Sequence, residues 1–347
     1  MKKTLLALVL AAVTLGLASG CAEKKAGKEL NIYIWTEYLP DEVIQTFTDR
    51  TGIKINYDTY DSPEAILDKL SSGVADYDLV CPSDYMVTIL IKEKLLQPLD
   101  KTKLTNLGNI GKRFLDLSFD PGNVYSVPYL WGSTGIGYNK QKITGPVDSM
   151  AIMFDPQYKS RILMLDDMRE CFAAALSLMG KSRNETNVAV IEEAAEMLKK
   201  QKPNVQTYNS SDFANLLAAG DVDLAHGYNG ELAKVIAENP DRLGYFIPKE
   251  GGTRWQDNLC IPASARNGEA AHLFLNYILE PEVMAKVVNA MNYACANEAA
   301  KAFIAPEILS NPVIYPAEAL LDPCEFIEDI GDTVTVMDKL WTEVKAQ

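Results

Sequence analysis

The stretch LNIYIWTEY, residues 30–38, is followed by a proline and two acids at residues 40–42. Its first half alternates as a short β-strand does, and the proline with the two acids is typical of a helix start. Residues 35–38 are therefore predicted to lie in a strand-to-helix turn. Turns at the carboxyl ends of strands are where open α/β sheets bind small ligands.

This turn carries an indole, a phenol and a carboxylate, supplied by Trp35, Tyr38 and Glu37. The faces of aromatic rings attract a desolvated ammonium, and a carboxylate neutralises it and accepts its hydrogen bonds. The same residues also suit ordinary packing, with the rings in the core and the acid in solvent. The turn alone leaves both interpretations open, and the rest of the chain has to separate them.

Strand and helix patterns alternate along the chain, which predicts an α/β fold with a mostly parallel sheet covered on both faces. Rings, hydroxyls and acids recur where predicted strands end. They are Trp35 with Glu37, Ser83 with Tyr85, Asp167 with Glu170, Tyr228 with Glu231, and Trp255 with Asp257. The last pair shares one strand face, since residues two apart do. This recurrence favours a cleft lined by rings and carboxylates.

Three local predictions accompany this pattern. Residues 124–138 are apolar and rich in glycine, as expected for a strand that passes between two lobes. Asp166 is expected to cap the helix that begins at Met168. Residues 245–248 and 255–261 are predicted to be two strands paired with each other, joined through a glycine pair.

The amino terminus indicates export. A basic start, a short apolar run over residues 5–17 and small residues before Cys21 are typical of a secretory signal, too short for a permanent membrane span. A cysteine at that position favours lipidation, with residues 1–20 as signal peptide and 21–28 as a lipidated tether. We therefore expect a periplasmic or extracytoplasmic protein that reaches the membrane only through lipidated Cys21.

Charge and cysteine content exclude several classes of protein. The chain has 33 basic and 47 acidic residues, a formal net charge of −14, which opposes nucleic-acid binding and favours cationic ligands. Five further cysteines are widely spaced without a CxxC pattern, which argues against a zinc site and a disulfide framework. We expect them to be buried small hydrophobes, and we expect no metal and no cofactor.

Six motifs carry a resemblance to a known family. They are WTEY (35–38), YDLV (77–80) followed by PS (82–83), SVPYLWG (126–132), DDMRE (166–170), PKEGG (248–252) with Trp255 and Asp257, and NY (292–293). With these motifs the sequence resembles the spermidine/putrescine-binding proteins of bacterial ABC transporters, within the type II periplasmic solute-binding proteins. The resemblance covers nearly the whole chain after the tether.

The resemblance implies a type II periplasmic binding protein fold, with two α/β lobes and a ligand cleft between them. Lobe 1 would comprise residues 29–134 and 257–302, and lobe 2 residues 135–256 and 303–347. The protein would be a monomer and not an enzyme, and would pass polyamines to an ABC permease. Hinges are expected near Gly135 and Trp255, since closure of two lobes is the motion of this family.

The resemblance also assigns roles to the residues of the turns. Rings that would form an aromatic box around the polymethylene chain are Trp35, Tyr85, Tyr228, Trp255 and Tyr293. Groups that would hold the ammonium ends are Thr36, Glu37, Ser83, Asp167, Glu170 and Asp257. A polyamine alternates charges with methylene segments, so carboxylates separated by rings match it physically.

Two positions depart from spermidine-preferring relatives. Ile327 stands where they place a glutamine, and Glu231 falls where putrescine-preferring relatives carry an acid. We therefore expect putrescine to compete with spermidine.

Two alternatives remain. A secreted glycosidase would also use paired carboxylates in a ring-lined cleft, but His226 and His272 are the only histidines, and no nucleophile elbow, HExxH or P-loop occurs. A polyamine sensor would have the same sequence features as a transport protein.

Overall fold

The computed structural model describes residues 28–36, 38–60, 62–73 and 76–347. The strands are β1 (Glu29–Trp35), β2 (Lys54–Tyr60), β3 (Leu79–Val80), β4 (Ser126–Asn139), β5 (Ile162–Met164), β6 (Val205–Tyr208), β7 (Leu224–Tyr228), β8 (Leu243–Phe246), β9 (Thr253–Cys260), β10 (Ala294–Cys295) and β11 (Glu325–Phe326). The α-helices are α1 (Asp41–Thr51), α2 (Pro63–Ser71), α3 (Asp84–Lys92), α4 (Met168–Leu178), α5 (Val188–Gln201), α6 (Phe213–Ala219), α7 (Asn229–Glu238), α8 (Gly268–Ile278), α9 (Pro281–Met291), α10 (Pro306–Leu309), α11 (Glu318–Leu321) and α12 (Thr333–Lys345).

The opening strand β1 organises the first lobe, which we define as β1–β3, β9–β11, the first half of β4 and the helices packed on them. β1 pairs in parallel with β2 on one side and β3 on the other. Alternate β1 side chains enter two cores: Leu30 and Ile32 pack on one face of the strand and Tyr33 on the other. Helix α1 follows Pro40 as predicted and ends at Gly52, whose φ of 72° is the left-handed conformation that glycine adopts without strain.

Strand β4 passes from one lobe to the other, as its sequence predicted. Residues 126–133 pair with β9, whereas residues 134–139 pair with β7 and β8. The second lobe comprises β5–β8, this second half of β4, and helices α4–α7 and α12. In this lobe β5 pairs in parallel with β6 and β7. Its main core contains Ile162, Phe172 and Trp341, so the carboxyl-terminal helix α12 packs with α4 and β5.

The sheet is mixed, and the prediction of a mostly parallel sheet is wrong for its centre. Pairs β3–β9, β9–β4, β4–β7 and β4–β8 are antiparallel. The predicted pairing of β8 with β9 is also wrong, because both strands pair with β4, on its two different halves. The chain turns between them at Gly252, where an added Cβ would lie 2.0 Å from the carbonyl oxygen of Thr134. This contact explains the glycine.

The carboxyl-terminal region divides between the lobes. Ile308, Ile314 and Leu321 are buried in the core that also contains β1, although the sequence placed residues 303–347 in lobe 2. Ile330 and Met337 join the second-lobe core. The helices α10 and α11 are only four residues long, so their periodicity was too short to show which core they cover.

Burial of the cysteines agrees with prediction: Cys81, Cys171, Cys260, Cys295 and Cys324 are free thiols inside the protein. The predicted lipidation site Cys21, the signal peptide and all of the tether except residue 28 lie outside the described residues. Within the described part of the chain, the helices are too short or too polar to span a bilayer.

Candidate functional site

A cleft of about 150 Å³ opens where strand ends of the two lobes face each other. Its lining comes from both lobes and includes twelve of the residues predicted as ligand contacts: Trp35, Thr36, Tyr38, Ser83, Tyr85, Asp167, Glu170, Tyr228, Glu231, Trp255, Asp257 and Tyr293. The thirteenth, Glu37, lies outside the described residues. The strand-to-helix turns identified in the sequence therefore converge on one cavity.

Asp257, in β9, is held in place by two hydroxyl groups. Its Oδ1 accepts a hydrogen bond from Ser83 Oγ and its Oδ2 accepts one from the Tyr38 hydroxyl, both at 2.6 Å. The residue is only 4% exposed. Burial raises the pKa of this carboxyl to about 6, although the hydrogen bonds favour its charged form. At neutral pH it is a preoriented anion in the cleft.

Asp167 and Glu170 form a second acidic group at the start of α4. Asp167 caps the helix, since its Oδ1 accepts from the Glu170 N–H at 3.1 Å. Glu170 Oε1 accepts hydrogen bonds from the hydroxyls of Thr134 and Thr253, at 2.8 and 2.6 Å. Burial raises the pKa of both carboxyls, and the negative charge of Asp167 raises that of Glu170 further. A cation between them would relieve this repulsion.

The expectation that Asp166 caps α4 is wrong by one residue. Asp166 is exposed and pairs with Lys345 of α12 at 3.0 Å. Asp167, which the sequence analysis assigned to the ligand, serves as the cap and lines the cleft at once. One carboxylate can do both because the cap uses Oδ1.

The rings of the cleft pack edge to face. Trp255 and Tyr293 have centroids 5.3 Å apart at 69°, and Tyr228 lies 6.1 Å from Trp255 at 88°. Tyr293 can approach α7 because residue 230 is glycine, where an added Cβ would lie 2.4 Å from the ring. Aromatic ring faces attract a cation and pack well on a methylene chain.

Sequence reasoning missed several lining residues: Tyr60, Pro63, Asp84, Ser210, Ser211, Thr253 and Arg254. Asp84 lies between two residues that were predicted, so its position offered a signal. Tyr60 is at the end of β2 and packs on Trp35 with centroids 4.6 Å apart. Ile327, singled out as a departure from relatives, also lines the cleft.

The charge of the lining is strongly negative. Five described lining residues are acids, Asp84, Asp167, Glu170, Glu231 and Asp257, and the basic residue among them is Arg254. Arg254 is exposed and its guanidinium lies over the Phe326 ring, 4.4 Å from the centroid. Such a lining disfavours anions and suits a compound with more than one positive charge.

Neither histidine lies in the described lining of the cleft. His226 is 2% exposed in β7, and burial lowers its pKa to about 4, as expected of a core residue. His272 Nε2 accepts a hydrogen bond from the backbone N–H of Asp100 at 2.9 Å, so it is held in the first lobe. General-base chemistry in this cleft would therefore depend on carboxylates.

Residues 42–316 match the family of bacterial extracellular solute-binding proteins. The chain belongs to this family. Its fold of two α/β lobes around a cleft is the one expected for such binding proteins, whose members bind ligands for transport rather than transform them.

Individual relatives in the family align over almost the full chain. The spermidine/putrescine-binding periplasmic protein of Salmonella typhimurium is 39% identical over 340 residues, which cover 97% of each chain. The putrescine-binding periplasmic protein SpuD of Pseudomonas aeruginosa is 36% identical, covering 99% of this chain and 98% of that one. The solved structure of the TpPotD lipoprotein of Treponema pallidum superimposes with a TM-score of 0.83 at 30% identity, covering 92% of this chain and all of that one.

Proposed function

We propose that this protein captures polyamines outside the cytoplasm and delivers them to an ABC import permease. One observation carries the proposal: among the residues that the structure describes, five acidic side chains and seven aromatic rings from the two lobes line one cleft. A polyamine presents ammonium groups separated by methylene chains, and this lining offers anions separated by rings. The names of the relatives agree with this ligand class.

The cation sites follow from the geometry of the acids. Asp257 would accept one ammonium near Trp35 and Tyr38, and Asp167 with Glu170 would accept another near Tyr228. Binding there would neutralise buried negative charge. Closure of the lobes around β4 and the turn before β9 would exclude water from these contacts.

A thermal-shift screen tests the proposal directly, because a ligand that binds only the folded state must stabilise it. Putrescine, spermidine, spermine and cadaverine should raise the melting temperature, and neutral sugars and amino acids should not. Calorimetry would then give the affinities. Stabilisation by sugars with little dependence on salt would favour the glycosidase alternative instead.

Preference within the polyamines rests on two lining positions. Glu231, in the first turn of α7, adds an acid to the cleft, and Ile327 adds an apolar side chain that cannot hydrogen-bond. We therefore expect putrescine to bind at least competitively with spermidine, and Glu231→Ser to weaken putrescine more. A putrescine affinity about 100-fold below that of spermidine would contradict this expectation.

Membrane attachment through Cys21 is part of the same proposal. A signal segment followed by that cysteine, and a structural relative named as a lipoprotein, support it. Detergent partitioning of the wild type and of Cys21→Ser, produced in a host that processes lipoproteins, would test it. The wild type should enter the detergent phase and the variant should not.

A further inference from the structure

Asp84 occupies a position that the proposed ligand contacts do not explain. It is the first residue of α3, lies between Ser83 and Tyr85, and is only 2% exposed. It also lines the cleft. A buried acid among residues proposed to touch the ligand needs a physical account.

Its two oxygens connect two ligand-bearing segments. Oδ1 accepts from the Tyr85 N–H at 2.7 Å, and Oδ2 accepts from the Gln256 N–H at 3.0 Å. Gln256 stands between Trp255 and Asp257 in β9. One carboxyl group therefore fixes the start of α3 to the centre of the Trp255–Asp257 segment.

Two neighbouring hydrogen bonds also join the segment before α3 to β9. The Asn258 N–H donates to the Pro82 carbonyl at 2.9 Å, and Ser83 donates to Asp257 at 2.6 Å. Asp84 accepts its two hydrogen bonds from uncharged backbone amides. A shift of α3 relative to β9 would separate Ser83 from Asp257 and so disturb the proposed ammonium site.

The charges around Asp84 are mostly of its own sign. Asp257 on β9 and Glu170 on α4 face it, and the Tyr85 phenol lies on its own helix. Arg254 lines the same cleft, but within the described residues Asp84 forms no ion pair with a lysine, arginine or histidine. Burial raises its pKa to about 8, although the two amide hydrogen bonds favour the charged form.

We propose that Asp84 is a positioning residue that holds Ser83 and Tyr85 against Trp255 and Asp257, and that releases a proton when a polycation fills the cleft. The inference rests on the proposed polyamine function. Without a ligand, burial and the neighbouring acids Asp257 and Glu170 favour the protonated form of this carboxyl at neutral pH. The ligand supplies the missing positive charge, the O–H bond breaks and the proton passes to solvent. The two amide hydrogen bonds that the carboxyl group already accepts then become stronger, because their acceptor is ionised.

Calorimetry with putrescine and spermidine in buffers of different ionisation enthalpy measures the protons released on binding. The wild type should release protons at pH 7, and its affinity should rise with pH up to about 8. Asp84→Asn should release fewer protons, bind about tenfold more weakly at pH 8 and show a flatter pH profile. Asp166→Asn, which removes an exposed acid, should match the wild type.

Asp84→Ser is the second variant, because it is neutral and small and should fold if Asn does not. The inference is overturned if both substitutions leave proton release unchanged, even when affinity falls, since a purely structural role would give that result. Should neither variant fold, absence of proton release by the wild type at pH 7 overturns it. A wild type that binds no polyamine refutes the proposed function, which is a separate outcome.

Discussion

Replacement of Asp257 by asparagine is the sharpest test of the cleft, because the change keeps the shape of the side chain and removes its charge. Asp257 is held by the hydroxyls of Ser83 and Tyr38, and with a pKa of about 6 it is mostly ionised at pH 7.5. An ammonium about 4 Å from this carboxylate gains roughly 4 kcal/mol at an effective dielectric constant of about 20.

Part of that energy is offset by desolvation of the ammonium, so we expect a loss of about 3 kcal/mol on substitution. This corresponds to a rise in the polyamine Kd of roughly 100-fold. Ser83→Ala keeps the charge and removes one hydrogen bond from a neutral hydroxyl to that carboxylate, so it should cost about 1.5 kcal/mol, less than loss of the charge itself. Comparison of the two variants separates the effect of the Asp257 charge from the effect of the hydrogen bond that orients it.

Isothermal calorimetry at pH 7.5 measures these affinities, and thermal unfolding without ligand shows that each variant is folded. Asp166→Asn is the matched control: it removes one negative charge from the protein, but at an exposed residue paired with Lys345. Its Kd should stay within about twofold of the wild type. A folded Asp257→Asn protein that binds polyamine as tightly as the wild type would refute the proposed ammonium site.

Two further predictions concern stability. Folding raises the pKa of Glu170, so its charged form is disfavoured in the folded state and its contribution to stability is lost as pH rises from about 4 through the folded pKa. The free energy of unfolding of Glu170→Gln, relative to that of the wild type, should therefore increase by roughly 2 kcal/mol between pH 5 and pH 8. Urea denaturation without ligand measures this difference. An unchanged difference across that range would contradict the sign. Gly252→Ala should lose about 3 kcal/mol, because the new methyl would lie 2.0 Å from the Thr134 carbonyl oxygen, whereas Gly268→Ala, which meets nothing within 4 Å, should lose little. Equal urea midpoints for these two variants would show that the turn before β9 can relax.

Local pattern predicted most of the elements, and it placed rings and acids at the ends of several strands. The strand at residues 30–34, the helix after Pro40 and the helix Met168–Leu178 are present as expected. Short-range signals such as a helix cap or a two-residue alternation act within a few residues, so they can be read from one segment. The helix cap shows the accuracy of local pattern: it was predicted at Asp166 and lies at Asp167, one residue later.

Long-range pairing was less predictable. A strand was predicted over residues 255–261 and β9 covers Thr253–Cys260, but its partner β4 is more than a hundred positions away in sequence. The carboxyl of Asp84, a lining residue that was missed, accepts a hydrogen bond from the Gln256 N–H in that same distant strand, a contact that local sequence does not show. The resemblance implied that residues 303–347 belong to lobe 2, whereas Ile308, Ile314 and Leu321 pack in the first-lobe core, which is again a contact between segments distant in sequence.

The chemistry of this protein follows from composition and local order: acids and rings stand at the ends of predicted strands, and the net charge is negative. The folded protein alone shows which of those acids share a cavity, which hydroxyls orient them and how far burial shifts their pKa. The physical reason is that desolvation and charge repulsion depend on distances between separate segments, and those distances exist only after the two lobes have formed around β4.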